Sequence, residues 1–149
     1  MKKKILSILL VLSMLVGMIT IMPITASAAE LSGSGTEKDP YKITSVADWN
    51  YFAENVSTYA SSYVKVTADV LDFGGNSPKQ IKKFSGTLDG DGVVIKNVKM
   101  SGSVDIGLIC TSSGNYKNFV ITDSSFSVNT QWVGSLICCT NQATTISNV

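Results

Sequence analysis

The side chains able to do chemistry are 11 carboxylates, 12 lysines, three cysteines and five tyrosines, and the carboxylates are the first to weigh. Asp69 and Asp72, taken with Asp89 and Asp91, are spaced so that two neighbouring segments could present paired acids. Glycoside hydrolysis uses such pairs for proton transfer and attack at the sugar ring. The same aspartates also read as turn caps, whose side chains bond the backbone two residues on, and that reading is preferred. The run DGDG from Asp89 to Gly92 alternates acids in a tight loop, as a hard cation requires. Val93, Val94 and Ile95 occupy the offsets where further oxygen ligands would stand, so the run is read as a turn. Lys79, Lys82 and Lys83 form a small basic patch, read as solvated. Tyr51, Tyr59, Tyr63 and Trp132 could stack on sugar faces, although no spacing singles them out.

Much of the usual catalytic chemistry is missing. The chain holds no histidine and no arginine, which excludes a Ser-His-Asp triad, a histidine metal site and a bidentate guanidinium grip on phosphate. No catalytic residue, cofactor-binding residue or metal ligand is assigned, and no cofactor is expected. Cys110, Cys138 and Cys139 are odd in number, unlike a paired disulfide framework. Two readings stay open: buried thiols acting as small apolar fillers, or a Cys110–Cys138 bridge. A Cys138–Cys139 bridge would be strained.

Lys2 to Lys4, the apolar run Ile5 to Met22 and the small residues of "ITASAAE" have the layout of a secretory signal peptide. Cleavage is expected after Ala28, with Ala29 as second choice, which makes 1–28 the signal. A retained anchor is the alternative, because the run approaches a bilayer span. Cleavage removes three of the 12 basic residues and leaves nine against 11 acids, a charge of −2. That balance argues against a nucleic-acid surface. After cleavage no membrane contact is expected, and the chain should be secreted or held at the cell surface.

The elements that must position these residues follow from patterning. Residues 29–40 are polar and Gly/Ser-rich, an entry loop or linker, and residues 41–149 form one domain. A helix is expected at about 45–57, with Ser45 as N-cap, Asp48 as its capping partner, and Val46, Trp49, Phe52, Ala53 and Val56 on one face. From about 63 to 149 the chain reads as short strands and turns. "VDIGLIC" alternates, which would set Val104, Ile106, Leu108 and Cys110 on one face. "IKNV" at Ile95, "YKNF" at Tyr116 and "ISNV" at Ile146 repeat one phrase, apolar at its first and fourth positions. Both apolar residues can face inward only if the chain bends between them, so Asn97, Asn118 and Asn148 are expected at tight corners. Asn97 and Asn118 are expected at equivalent corners of successive coils. "IGLICTS" and "VGSLICCT" repeat a second phrase 27 residues apart, counted from Gly107 to Gly134. Uneven repeats of this length predict a parallel β-helix, a solenoid closed at one end by the helix. The alternative is an antiparallel β-sandwich. The last phrase has no polar cap, so truncation at the C-terminus, or self-association through an uncapped final coil, is expected.

The stretch "GSGTEKDPYKITSVADWNYFAENV", with "YVKVTADVLDF", "FSGTLDGDGVVIKNV" and the two glycine phrases, resembles bacterial exported proteins with GLUG motifs. Such proteins include Gram-positive surface and adhesin-like proteins and the non-catalytic regions of some large surface peptidases. The resemblance runs from about Gly33 to Val149. It departs from the pattern at Cys110 and Cys138, where glycine is usual, and at Ser135, which is extra or replaces a glycine. The resemblance implies a right-handed β-helix with no catalytic role. The expected function is a non-enzymatic surface module for adhesion or for binding glycan or a host or cell-surface protein. The alternative is the leading part of a β-helical polysaccharide-acting enzyme or a large surface peptidase.

Overall fold

The computed structural model describes residues 30–129, 131–140 and 143–149. The signal segment lies outside them. The described residues are mainly β: strands β1 (Tyr41–Ile43), β2 (Tyr63–Val66), β3 (Val70–Asp72), β4 (Ile81–Lys82), β5 (Thr87–Lys96), β6 (Lys99–Gly102), β7 (Ile109–Cys110), β8 (Asn115–Thr122), β9 (Ser125–Val128) and β10 (Thr145–Ser147). One α-helix, α1 (Val46–Glu54), is followed by a 3₁₀ turn, Val56–Tyr59. No helix of the described residues is long and apolar enough to cross a membrane.

Every described strand pair is parallel. The largest sheet runs β1–β2–β5–β8–β10, with β3 also on β5, while β4 pairs with β7 and β6 with β9. The antiparallel sandwich is therefore ruled out. The registers show how the chain meets itself. Val64 lies opposite Leu88, and Leu88 opposite Tyr116. Leu71 lies opposite Ile95, which lies opposite Ile121. Ile81 lies opposite Ile109, which bridges to Ile137. Alternation sends these rows inward. Val64, Leu88, Tyr116, Ile95, Ile81 and Ile109 are all fully buried.

The helix forms where its capping signal stands. Ser45 Oγ accepts from the Asp48 N–H at 3.1 Å. The Asp48 carboxylate reaches back not to Ser45 but to Thr44, accepting from its N–H at 2.8 Å and its hydroxyl at 2.6 Å. The α-helix stops at Glu54, short of the expected end. The backbone N–H of the capping residue Asn55 bonds Phe52 O and Tyr51 O, its Nδ2 also bonds Tyr51 O, and the chain tightens into the 3₁₀ turn. Trp49, Phe52 and Ala53 are buried. Trp49 is an anchor and not a ligand platform: it donates from Nε1 to Lys79 O and meets Phe73 edge-on.

Both apolar positions of the Asn phrase point inward in its first two copies. Ile95 and Val98 are buried, as are Tyr116 and Phe119. The asparagine between them has φ of 54° at Asn97, 63° at Asn118 and 53° at Asn148, the left-handed region. The third copy has the same backbone, but Ile146 and Val149 are exposed. One expectation fails. Asn97 and Asn118 do not share a corner. Asn118 lies inside β8, across from the break in β5 between Asp89 and Val93, whereas Asn97 follows β5, level with Asp123. Asn118's stacked equivalent is Asn148, which donates to its Oδ1 at 2.9 Å.

The glycine phrases also depart from a regular strand. Leu108 and Ile109 are both fully buried, Val104 is exposed, and Asp105 and Thr111 take positive φ. Gln80 explains part of this. Its side-chain amide donates to the carbonyls of Asp105 and Gly107, removing them from any ladder. The two phrases stack on each other with Ile106 opposite Val133 but Ile109 opposite Ile137, so the second holds one extra residue. Gly107 is needed there, since a Cβ would lie 2.6 Å from Gly134 O.

Candidate functional site

Residues that face out of the first sheet are placed by the registers that bury their neighbours. Lys42 is opposite Lys65, Lys65 opposite Asp89, Asp89 opposite Lys117 and Lys117 opposite Ser147. The row crosses five strands. Residues 32–40 form a loop tied beside it, with Lys42 N–H bonding Ser32 O and Tyr63 N–H bonding Gly35 O. Between loop and row lies a recess of about 170 Å³, lined by Glu37, Pro40, Tyr63, Lys65, Asp89 and Lys117.

Asp89 is the electrostatic centre. Its Oδ1 accepts from Asn118 Nδ2 at 2.8 Å and from the Asp91 N–H at 2.9 Å, and Lys117 Nζ lies 3.1 Å from Oδ2. Partial burial by itself would raise its pKa. The Asn118 amide, the Asp91 N–H and Lys117 together outweigh burial and hold it below the ordinary carboxylate value. The same pairing raises Lys117. Asp91 is held separately by Lys65 at 2.9 Å. The recess thus offers two ammonium groups, two carboxylates and a half-buried tyrosine, a polar surface suited to hydrogen-bonding a hydroxyl-rich ligand.

Asp72 is engaged elsewhere. Asp72 accepts from Asn97 Nδ2 and from the Gly74 N–H, both at 2.9 Å, with Lys96 Nζ at 3.4 Å. The Asn97 amide leads the effects that lower its pKa. Asp72 and Asp89 therefore serve different corners, and the structure does not bring them together as a pair. Within DGDG the two carboxylates take different lysines. Among the described residues no group of three or more acids, cysteines or histidines is placed to hold a metal ion.

The basic patch divides. Lys79 pairs with Glu54 at 2.9 Å, Lys82 lines the same groove, and Lys83 sits at a positive-φ corner. That groove, about 430 Å³ between α1 and the neighbouring strands, has Met100 and Ile106 in its lining. Of the aromatics, Tyr59 is buried, Tyr51 and Tyr63 are half-buried, and Trp132 is 64% exposed. In the sequence Glu37 reads only as part of a polar loop. The outward row was also not singled out, although Lys65, Asp89 and Lys117 each stand third in "YVK", "TLD" and "NYK", the spacing that would have found it.

The cysteines resolve against the filler reading for two of the three. Cys110 and Cys138 are joined, with Cα atoms 5.4 Å apart, and Cys139 is a half-buried free thiol. Stacking of the two glycine phrases places the bonded pair side by side.

No family model matches the chain, and no solved structure matches it. It is 32% identical over 108 aligned residues to Halomucin of Haloquadratum walsbyi (strain DSM 16790 / HBSQ001), an alignment covering 62% of this chain and 1% of Halomucin. The chain therefore spans a very small part of that relative.

Proposed function

We propose that this chain is an exported, non-enzymatic surface module, folded as a right-handed parallel β-helix capped by α1, which binds glycan at the Lys65–Asp89–Lys117 face. Four things support the solenoid reading: parallel pairing throughout, registers that return after 23 residues (Tyr41 to Val64) to 30 (Asn115 to Thr145), inward apolar rows, and left-handed corners. The GLUG-like phrases and the similarity to a protein named Halomucin support a surface setting.

The observation that carries the binding reading is the outward row itself. Three of its residues, Lys65, Asp89 and Lys117, contribute nothing to the core, yet they line a recess walled by an ordered loop. Sugars are held by hydrogen bonds to charged and amide groups with an aromatic face nearby, and Lys65, Asp89, Lys117 and Tyr63 supply these. The non-enzymatic reading rests on Asp72 and Asp89 being committed to corners and lysines, with neither left free to move a proton.

Calorimetric titration of the chain with defined neutral, acidic and amino-sugar oligosaccharides tests the proposal. Lys117→Ala and Tyr63→Ala should each weaken the observed affinity at least several-fold. Absence of binding across the panel, or binding indifferent to both substitutions, refutes it. Release of reducing sugar that Asp89→Asn abolishes would favour the polysaccharide-acting enzyme instead.

A further inference from the structure

Cys139 is a free thiol next to a disulfide. Its Sγ lies 3.5 Å from Cys138 Sγ, about the contact distance of two sulfurs, while Cys138 is already bonded to Cys110. Cys138 and Cys139 are half-buried, and Cys110 is buried. The sulfur open to attack is therefore Cys138, and the leaving sulfur would be Cys110. Gln80 Nε2, whose two hydrogens serve the Asp105 and Gly107 carbonyls, stands 3.4 Å from Cys110 Sγ and sets partial positive charge beside the atom on which charge would develop.

We propose that Cys139 is an exchange nucleophile for the Cys110–Cys138 bridge. The Cys139 thiolate forms a bond to Cys138 Sγ as the Cys110–Cys138 bond breaks, and the electron pair leaves on Cys110 Sγ. Cys110 takes up one proton for the one that Cys139 released, so nothing is oxidised or reduced overall and no outside reagent is consumed. The linkage passes from one that ties residues 106–112 to residues 133–140 into one between sequence neighbours. The two stacked phrases are then held without a covalent tie, by core packing of Leu136 and by backbone bonds such as Ile109 N–H to Leu136 O, Cys138 N–H to Ile109 O and Thr111 N–H to Cys139 O. The site makes this junction a covalent clamp that its own third cysteine can open.

The test follows the free thiol. The full chain is incubated without added thiol or oxidant, quenched in acid at intervals, unfolded at low pH and labelled with a maleimide; the labelled cysteine is then located by peptide mass spectrometry. Label should be found mainly at Cys139 with a minor, reproducible share at Cys110, because the bridge between sequence neighbours is the strained one, and that share should not depend on protein concentration. Cys139→Ser, a near-isosteric change, should lose labelling altogether. Label confined to Cys139 at every time point overturns the proposal. So does a Cys110 share that rises with protein concentration, or label at Cys110 in the Cys139→Ser chain.

Discussion

Replacing Asn118 by leucine removes three things that can be weighed separately. The first is the 2.8 Å bond from Nδ2 to Asp89, a carboxylate whose side chain is only 20% exposed. Hydrogen bonds to charged groups are worth about 1.5–3 kcal/mol, and partial solvent access brings this one to the lower end. The second is the bond accepted from Asn148 at 2.9 Å, which lies at an exposed site and adds a few tenths of a kcal/mol, roughly. The third is conformational. At φ 63° a leucine Cβ crowds the following carbonyl, at a cost of about 1–2 kcal/mol. Asn118→Leu should therefore destabilise by roughly 2–4 kcal/mol.

Asn118→Gly separates these contributions, since it loses both side-chain bonds but accepts positive φ, and it should cost about 1–2 kcal/mol. Urea unfolding followed by far-UV circular dichroism gives both values, with unchanged slopes marking unchanged compactness. A loss under about 0.5 kcal/mol for leucine would refute the corner argument. So would equal losses for leucine and glycine, because then the left-handed backbone carries no cost.

Asn97→Leu should cost about 1–3 kcal/mol by the same reasoning at the other corner, and Lys96→Ala, which loses one exposed 3.4 Å ion pair, less than about 0.5 kcal/mol in the same urea assay. Gly90→Ala should cost roughly 3 kcal/mol or more, because its Cβ would lie 2.4 Å from Asn118 O, whereas Gly92→Ala meets no atom within 4 Å and carries only its φ of 85°, about 1–2 kcal/mol. Asp89 has a folded pKa below its unfolded value, so its contribution is complete above the unfolded value of about 3.9 and is lost as pH falls from there through the folded pKa. An acid titration of stability should show this limb, and Asn118→Leu should flatten it.

The sequence displays its bends more clearly than their places. A residue apolar on both sides of a polar pair forces a corner wherever it stands, so all three asparagines were legible as left-handed. Which corner each occupies depends on strand register, and register is a property of two segments. Asn97 and Asn118 are only 21 residues apart, shorter than any return of the chain onto itself, and both corners demand the same residue type. The β5 break that faces Asn118 is built from Gly90, Asp91 and Gly92, with no asparagine to mark the equivalence. The cysteines were opaque for a related reason. An odd count argues against pairing, and only the Ile109–Ile137 and Ser112–Thr140 bridges set Cys110 beside Cys138.

The carboxylates follow the same logic one step further. Asp72 and Asp89 are conspicuous in the sequence because acids are scarce, yet each receives the amide of an asparagine from the next segment and a lysine alongside. In a chain that pairs with itself in parallel, a polar residue beside a corner stabilises the left-handed turn of its neighbour, and its charge is spent there. Binding would then draw on the outward residues around the corner, Lys65 and Lys117, which line the recess while pairing with Asp91 and Asp89, and on the loop residue Glu37. Lys65 and Lys117 are placed by strand pairing and Glu37 by its loop, and none of the three is part of the core. Substituting them should change binding with little effect on stability, the reverse of what the asparagines do, and this opposition separates the two kinds of polar residue by experiment.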